Sequence, residues 1–331
     1  MKISQAFLDG VLEALNSDGA RFDAGEVAFV AKDLEYVMAT NYDVEYPELK
    51  GTQIVPQNTE VDPGAEEYSY GQWDITGRAI FIADYANDFP MVEALIKRFV
   101  FPIAAIGVGY QYTVQDMRKA AMRRLSKGKS LDQARAAAAA LVHAQFVDDV
   151  ICYGDAKRGL VGFINNTNIP TVSITNGSWD TLTTLSDAEN LKIVSDLNTI
   201  SLAPEQQTVG RHVANTLLLP LSMKTRLYAP ASTYVKQPLI LNWLMNQENI
   251  QKVIWWNKLD SAYSNGALSA TQAWVMAFEQ NPACIFYVVP LQFTQHAPQQ
   301  VGMAFKVPCE SRTGGVCTPY PLSAGKANVH S

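Results

Sequence analysis

The feature that most constrains the fold is a long alanine-rich helix that runs directly into a glycine-rich segment. Ser130 and Gln133 have the spacing of a capping box, and the alanine run 136–140 has high helix propensity. The sequence therefore predicts one helix over 130–151. Residues 152–165 follow at once with the pattern GD-x-x-x-G-L-x-G-F-x-N. A helix that ends in this pattern matches no catalytic motif, so the pattern favours a structural role for the segment.

The composition indicates a chain whose surface is largely covered by other subunits. Charged residues make up 18% of the 331 residues, which is below the ~25% usual for globular domains. A low surface charge favours an oligomer. The net charge of −6 argues against a sequence-specific nucleic-acid-binding protein, because such proteins normally carry a basic stripe.

The cysteines indicate reduced, structural thiols. They are Cys152, Cys284, Cys309 and Cys317, and none of them forms a C-x-x-C pair, so the sequence predicts no zinc site. No signal-peptide pattern is present, and no stretch reaches the ~18 apolar residues of a membrane span. The expected compartment is a reducing cytoplasm, in which thiols stay reduced.

Residues 47–84 predict a long two-stranded hairpin. An extended stretch, 52–61, precedes the turn Asp62-Pro63-Gly64, which suits a type II turn, and 68–83 alternates with Trp73 on its apolar face. A lone hairpin is marginal in water, so this one is expected to rest on another surface. The alternative, an ordinary hairpin within a sheet, stays open.

The rest of the chain predicts a mixture of helices and strands. A buried strand is expected over 103–112, and Thr113, with Asp116 three residues later, is expected to cap a helix. Ala138 and Phe146 are expected on the packing side of the long helix. The other expected elements, ending in two strands that return to an earlier sheet, are helices 186–199, 201 or 204 to 214, and 238–246, and strands 217–221, 226–229, 252–256, 284–291, 302–308 and 315–319.

Fragments of chemical motifs occur, but none of them is complete. Gly128-Lys129-Ser130 lacks the first glycine of a phosphate loop, and Gly107-x-Gly109 lacks the third glycine of a dinucleotide fingerprint. Neither fragment therefore predicts a nucleotide site.

The histidines do not predict catalysis or metal binding either. Asp148 and Asp149 follow His143 by five and six residues, an offset that aligns the imidazole poorly with either carboxylate on one helix. These charges are expected at a helix end, where they are solvated or cap the helix. The remaining histidines are isolated in the sequence: His212, His296 and His330. The sequence thus predicts no catalytic, cofactor-binding or metal residues, and no enzyme.

The order of these elements resembles the tailed-phage major capsid fold of the HK-ninety-seven type, which encapsulin shells share. That order is an arm, a long hairpin, a strand, a helix, the long helix with its glycine-rich end, a mixed α/β region and final strands. Residues 58–66 and 312–316 are similar to a phage subfamily with an encapsulin-like core. The resemblance covers nearly the whole chain.

What the resemblance implies about the fold is an α+β architecture with five parts. They are an N-terminal arm over 1–46, an E-loop hairpin over 47–84, a peripheral domain over 85–169 with the spine helix 130–151, an axial domain over 170–290, and a C-terminal return to the peripheral domain over 291–331.

What the resemblance implies about function is a structural major capsid protein. Such a chain self-assembles into hexamers and pentamers that form an icosahedral head shell around a phage dsDNA genome, without sequence-specific binding. The E-loop residues expected to contact a neighbouring subunit are Asp62, Pro63, Gly64, Tyr68 and Trp73.

The expected partners are further copies of the chain, a portal, and separate scaffold or decoration proteins, with no cofactor and no membrane. The expected location is the virion capsid, after assembly in the host bacterial cytoplasm. Lys50 is the nearest lysine to the predicted hairpin, so no covalent crosslink from the hairpin is expected.

Two alternatives stay open. An encapsulin-type nanocompartment shell shares the fold and encloses a protein enzyme instead of DNA. A soluble α/β enzyme would need a polar pocket with perturbed titratable groups, and no cluster in the sequence suggests one.

Overall fold

The structure is a computed structural model. It describes residues 44–81, 89–123, 131–175, 178–179, 187–228, 240, 249–264, 267–269 and 272–330. All but the last three residues of the predicted arm over 1–46 lie outside the described residues, and so does most of the predicted helix over 238–246.

The described helices include two long ones that organise the fold. They span Gly51–Ile54 (α1), Val114–Arg123 (α2), Leu131–Tyr153 (α3), Asp187–Gln207 (α4) and Lys224–Leu227 (α5). Short 3-10 helices span Leu221–Met223, Asn257–Leu259, Ser261–Tyr263 and Pro321–Ser323.

The described strands form several small sheets. They span Gln57–Asn58 (β1), Glu67–Thr76 (β2), Glu93–Pro102 (β3), Ala104–Thr113 (β4), Gly154–Asp155 (β5), Leu160–Val161 (β6), Thr216–Pro220 (β7), Lys252–Trp256 (β8), Trp274–Phe278 (β9), Phe286–Val288 (β10), Leu291–Gln295 (β11), Gln299–Val301 (β12), Ala304–Thr313 (β13), Gly315–Cys317 (β14) and Ala324–Asn328 (β15).

The first sheet joins the middle of the chain to its C-terminal part. Strand β13 pairs antiparallel with β4 over its whole length, from Ala304 opposite Thr113 to Thr313 opposite Ala104, and pairs on its other edge with β11 and β12. This confirms the prediction that late strands return to an earlier sheet. The predicted burial of 103–112 is wrong, because within β4 only Ile106 is buried. The other β4 side chains lie on a sheet that the helices cover incompletely.

Helix α3 confirms the predicted long helix and packs on this sheet. Arg135 donates a hydrogen bond to the backbone oxygen of Gln111 at 2.6 Å, and His143 Nε2 lies 2.6 Å from Ser311 Oγ. The predicted packing side is wrong by about one residue. Ala138 is exposed and Ala139 is buried, because a run of alanines offers no contrast from which a buried side could be recognised.

Replacing Ala139 with leucine is expected to destabilise the fold by about 1–3 kcal/mol, because the larger side chain overpacks a buried position. The matched control is Ala138→Leu on the exposed side, which is expected to change the free energy of unfolding by less than about 0.5 kcal/mol. Urea unfolding followed by circular dichroism measures both. Equal effects of the two substitutions would contradict the packing of α3.

One helix among the described residues passes a composition test for membrane spans. Gln133–Tyr153 is long and apolar enough by length and hydropathy alone. However, Val150, Ile151 and Cys152 lie in the main core cluster. These core residues lie at the C-terminal end of the helix, and one helix that passes by length and composition alone is weak evidence for a membrane span.

The glycine-rich pattern folds the chain back onto the end of α3. Phe163 N donates to Ile151 O at 2.8 Å, and Ile164 N donates to Cys152 O at 2.9 Å. The Asn165 side chain donates to the backbone oxygen of the last helical residue at 2.9 Å. The final carbonyls of a helix have no partner within the helix. The GF-x-N part of the pattern therefore caps α3.

The glycines of the pattern meet a steric requirement. Strands β5 and β6 form a tight hairpin, with Gly154 and Gly159 at φ of +67° and +70°. A Cβ on Gly162 would overlap the backbone of Gly154 and Tyr153. Only glycine lets the returning chain lie this close to the helix end.

The second main sheet has the order β15-β9-β7-β8, with β7 parallel to β8 and antiparallel to β9. Helix α4 packs on it through a cluster that includes Ile193, Leu197 and Leu217. The predicted strand over 252–256 is confirmed as β8. The last strand, β15, pairs with β9 in this second sheet, whereas β11 to β13 belong to the sheet of β4.

Three predictions about helices and strands between residues 186 and 291 are wrong. The two helices expected over 186–214 are the single helix α4, which contains Pro204. The strand expected over 226–229 is the helical turn α5. The single strand expected over 284–291 is divided between β10 and β11, because Pro290 lies between them and cannot donate to a ladder.

Candidate assembly surface

Strands β2 and β3 form a two-stranded ribbon. They pair antiparallel from Glu67 opposite Pro102 to Thr76 opposite Glu93, and among the described residues no third strand joins them. The predicted pairing within 47–84 is therefore wrong. The stretch expected to be the first strand contains α1 and the short strand β1, which pairs with β10 instead.

The turn Asp62-Pro63-Gly64 is present but lies at the base of the ribbon. Gly64 N donates to Asp62 Oδ1 at 2.7 Å, and Ala65 N donates to Asp62 O at 3.1 Å. The Arg312 guanidinium donates to Pro63 O. The turn is thus hydrogen-bonded to β13 of its own subunit.

Tyr68 anchors the ribbon to the body of its subunit. Its hydroxyl donates to Gly314 O at 3.4 Å, and its ring stacks on Phe101 with centroids 5.3 Å apart. Burial, with the Cys317 thiol nearby, raises the pKa of Tyr68 well above its usual value. The phenol therefore stays neutral and serves as a packed hydrogen-bond donor.

Replacing Gly314 with alanine is expected to loosen this anchor. The new Cβ would lie 2.6 Å from the Tyr68 ring and 3.1 Å from Val288 Cβ, and overpacking of this kind costs about 1–3 kcal/mol of unfolding free energy. In the double variant with Tyr68→Ala the clash with the ring disappears and only the weaker contact with Val288 remains, so the two costs should not add fully. Additive costs in urea unfolding would show that the ring is not the obstacle.

One face of the ribbon carries four exposed apolar side chains, beside Arg98, which donates to Ser69 Oγ at 3.2 Å. Trp73 lies directly opposite Ile96, with Ile75 and Val100 on the same face. Their exposed fractions are 66% for Trp73, 56% for Ile96, 72% for Ile75 and 47% for Val100. We call these four residues the apolar ribbon face. Exposed apolar side chains clustered in this way are typical of an interaction surface.

The opposite face stabilises the ribbon itself. Tyr70 stacks on Phe99 with ring centroids 5.3 Å apart, and Lys97 pairs with Asp74 at 3.3 Å. Cross-strand pairs of these types contribute roughly 0.2–1 kcal/mol each. Lys97 lies within the ribbon itself. The prediction that Lys50 is the nearest lysine to the hairpin is therefore wrong.

The structure separates the five predicted contact residues into two groups. Asp62, Pro63, Gly64 and Tyr68 lie at the base and contact their own subunit, whereas Trp73 lies on the apolar ribbon face. Their contact with a neighbouring subunit stays a prediction. Sequence reasoning missed the β3 side of this face. The aromatic and β-branched residues of β3 were a strand signal, but the stretch lacks clear alternation.

The charges around His143 are structural and more buried than expected. The His143 ring packs against Phe293 with centroids 4.7 Å apart and a tilt of 41° between the rings, and burial lowers the pKa of His143. Asp148 is buried and accepts a hydrogen bond from Gly51 N at 2.6 Å, and burial raises its pKa. Asp149 pairs with Lys258 at 2.5 Å. Asp148, which was expected to be solvated or to cap its own helix, is buried and holds α1 against α3.

Solved structures with this fold are phage capsid proteins and their relatives. The capsid of Myoviridae phage XM1 matches with a TM-score of 0.75 at 12% identity, covering 94% of this chain and 99% of that one. A protein of Mycobacterium phage Bobi matches with a TM-score of 0.61 at 13% identity, covering 93% and 99%. The capsid of a native GTA particle matches with a TM-score of 0.62 at 10% identity, covering 94% and 100%. No curated protein matches the sequence.

An α+β chain with this spine helix and ribbon thus has the fold of the tailed-phage capsid proteins, of the HK-ninety-seven type. The family model for the major capsid protein matches residues 77–328, which is most of the chain. The chain belongs to the major capsid protein family and is a structural subunit of a phage capsid shell.

Proposed function

We propose that the chain assembles into hexamers and pentamers that close into an icosahedral head shell around a dsDNA genome. The observation that carries this proposal is the apolar ribbon face, whose largest member, Trp73, is 66% exposed. A ribbon with little of its own subunit to rest on gains stability by lying on a neighbouring one.

The proposed division of labour follows the two main sheets. We place 103–169, with α3 as the spine, in the peripheral domain, and 170–290 around the capsomer axes as the axial domain. Strand β3 is assigned to the ribbon, beyond the end of the hairpin expected over 47–84. The sheet of β4 with β13 supports the first assignment, and the sheet of β7, β8 and β9 supports the second. The ribbon of β2 and β3 is the proposed E-loop, and the arm over 1–46 is proposed to contact neighbouring subunits.

The proposed role needs no reaction and no base readout. The net charge of −6 suits a shell that encloses dsDNA without sequence-specific binding, because such binding normally requires a basic stripe. Assembly is proposed in the host bacterial cytoplasm, with a portal and separate scaffold or decoration proteins as partners. The family assignment does not favour the nanocompartment or enzyme alternatives.

Electron microscopy of the purified chain tests the proposal. We expect closed shells with hexameric and pentameric capsomers, either from the chain alone or after co-expression with the scaffold and portal of its phage. Size-exclusion chromatography gives the oligomeric state in the same preparation. A chain that stays monomeric with those partners present would overturn the proposal.

A further inference from the structure

Three potential metal ligands from separate parts of the chain meet at one end of the second main sheet. His212 lies in the loop between α4 and β7, Glu279 directly follows β9, and Cys284 lies in the turn before β10. One ligand atom from each side chain lies within 4.8 Å of the other two. The sequence predicted no metal site because no two of these residues form a recognised ligand spacing.

The distances between these atoms are close to those of a site for one small cation, but one of them is shorter. His212 Nδ1 lies 2.7 Å from Glu279 Oε2, and Cys284 Sγ lies 3.7 Å from His212 Nδ1. In a tetrahedral zinc site, with ligand bonds of about 2.0–2.3 Å, neighbouring ligand atoms lie roughly 3.3–3.6 Å apart. The imidazole and the carboxylate therefore need to separate by roughly 0.6–0.9 Å to admit the ion, a side-chain movement within reach of rotamer adjustment.

Hydrogen bonds around the cluster hold the ligands in place. His212 N donates to Thr208 Oγ1 at 2.9 Å, and Asn281 Nδ2 donates to the second Glu279 oxygen at 3.1 Å. Cys284 N donates to Asn281 O at 2.9 Å. The Asn281 bond is of the kind that orients a ligating carboxylate, whereas the two backbone bonds fix the segments that carry His212 and Cys284.

The surroundings of the cluster suit a partly enclosed site. Cys284 is buried at 2% exposure, whereas the His212 and Glu279 side chains are 16% and 21% exposed. An ion can thus enter from the solvent side and reach a sheltered thiolate. The Tyr320 ring covers the imidazole, with centroids 5.4 Å apart.

We propose that His212 Nδ1, a Glu279 carboxylate oxygen and Cys284 Sγ bind one Zn²⁺ ion, with water in the fourth position. Thiolate, imidazole and carboxylate together form the mixed donor set that zinc accepts. The ion connects the loop after α4, the end of β9 and the turn before β10. Because these segments come together only in the folded chain, binding stabilises the folded state.

Binding requires a definite movement of protons. Burial and the nearby Glu279 carboxylate raise the pKa of the Cys284 thiol to about 11, so the thiol is protonated when no ion is bound. Zn²⁺ displaces this proton to solvent as the sulfur–metal bond forms. The hydrogen that His212 Nδ1 donates to Glu279 in the metal-free chain moves through solvent to Nε2, which leaves the Nδ1 lone pair for the metal.

Cobalt spectroscopy of the full-length chain tests the site. The purified protein is treated with a chelator, kept reduced and titrated with Co²⁺. We expect a near-ultraviolet thiolate-to-cobalt charge-transfer band that saturates at one ion per chain, and its loss when one equivalent of Zn²⁺ is added. Zn²⁺ should also raise the melting temperature of the wild-type chain.

The variants separate metal binding from a merely hydrogen-bonded cluster. Cys284→Ser should lose the charge-transfer band, and Glu279→Gln, which keeps the shape and a hydrogen-bond acceptor, should bind Co²⁺ at least about tenfold more weakly. The matched control is Cys309→Ser, another buried thiol, which should retain the band. Circular dichroism checks the folding of each variant. If Cys284→Ser does not fold, the Glu279→Gln titration decides.

A wild-type chain without the band would overturn the proposal. So would a band that survives in Cys284→Ser, or wild-type affinity in Glu279→Gln, because the ligands would then lie elsewhere.

Discussion

A chain that carries Trp73→Glu together with Ile96→Lys is expected to fold but to form no closed shells. The two residues lie directly opposite each other on the apolar ribbon face, so the new charges pair across the strands and keep the ribbon intact. The same charges must lose water when a neighbouring subunit covers the face, which costs several kcal/mol when they are imperfectly paired. A buried tryptophan anchor is itself often worth about 2 kcal/mol or more, and the loss recurs at every subunit.

The control places a charge on the other face of the same ribbon. Gln72→Glu lies opposite Lys97 and should assemble like the wild type. Negative-stain electron microscopy and sedimentation report assembly, and circular dichroism reports folding. Closed shells from the double variant at wild-type yield would show that the apolar ribbon face is not a subunit contact.

The second large effect is expected at the end of the spine helix. In Gly162→Ala the new Cβ overlaps Gly154 N and the Tyr153 carbonyl carbon, and lies 2.7 Å from Cys152 O. All of these atoms are backbone, so no side chain can move aside. We expect a loss of more than about 4 kcal/mol, the range of exceptional single substitutions, and hence little soluble folded protein.

The matched control is Gly107→Ala in β4, where a Cβ meets nothing within 4 Å. Alanine at an unstrained glycine position is neutral or stabilises by about 0.4–1 kcal/mol. Soluble yield and urea unfolding compare the two variants. A loss of less than about 1 kcal/mol for Gly162→Ala would show that the chain can return to the helix end without a glycine.

The structure agrees best with the sequence at the start of α2 and along α3. Thr113 and Asp116 form the predicted reciprocal cap of α2, with Asp116 N donating to Thr113 Oγ1 at 3.1 Å. The alanine run forms the predicted spine helix, and the glycine-rich pattern closes it. These signals are local, so the residues of each short segment are enough to predict its structure.

The wrong predictions concern contacts between segments that are distant in the sequence. The turn Asp62-Pro63-Gly64 was correctly expected, yet the strand that pairs with β2 is β3, which follows β2 instead of preceding it. The identity of a strand's partner depends on which surfaces meet, and a local turn signal does not encode it. The buried side of α3 was missed for a related reason, because only the sheet beneath it distinguishes Ala139 from Ala138.

The sequence by itself determined the long helix α3, the capped start of α2, the strand β8, and the resemblance to capsid proteins that the family match confirms. These follow from propensity, capping and steric rules that act over a few residues. Only the tertiary structure decided the pairing of the ribbon, the burial of Asp148 and the meeting of His212, Glu279 and Cys284. Those features depend on contacts between segments far apart in the chain, whose geometry exists only once the two main sheets have formed.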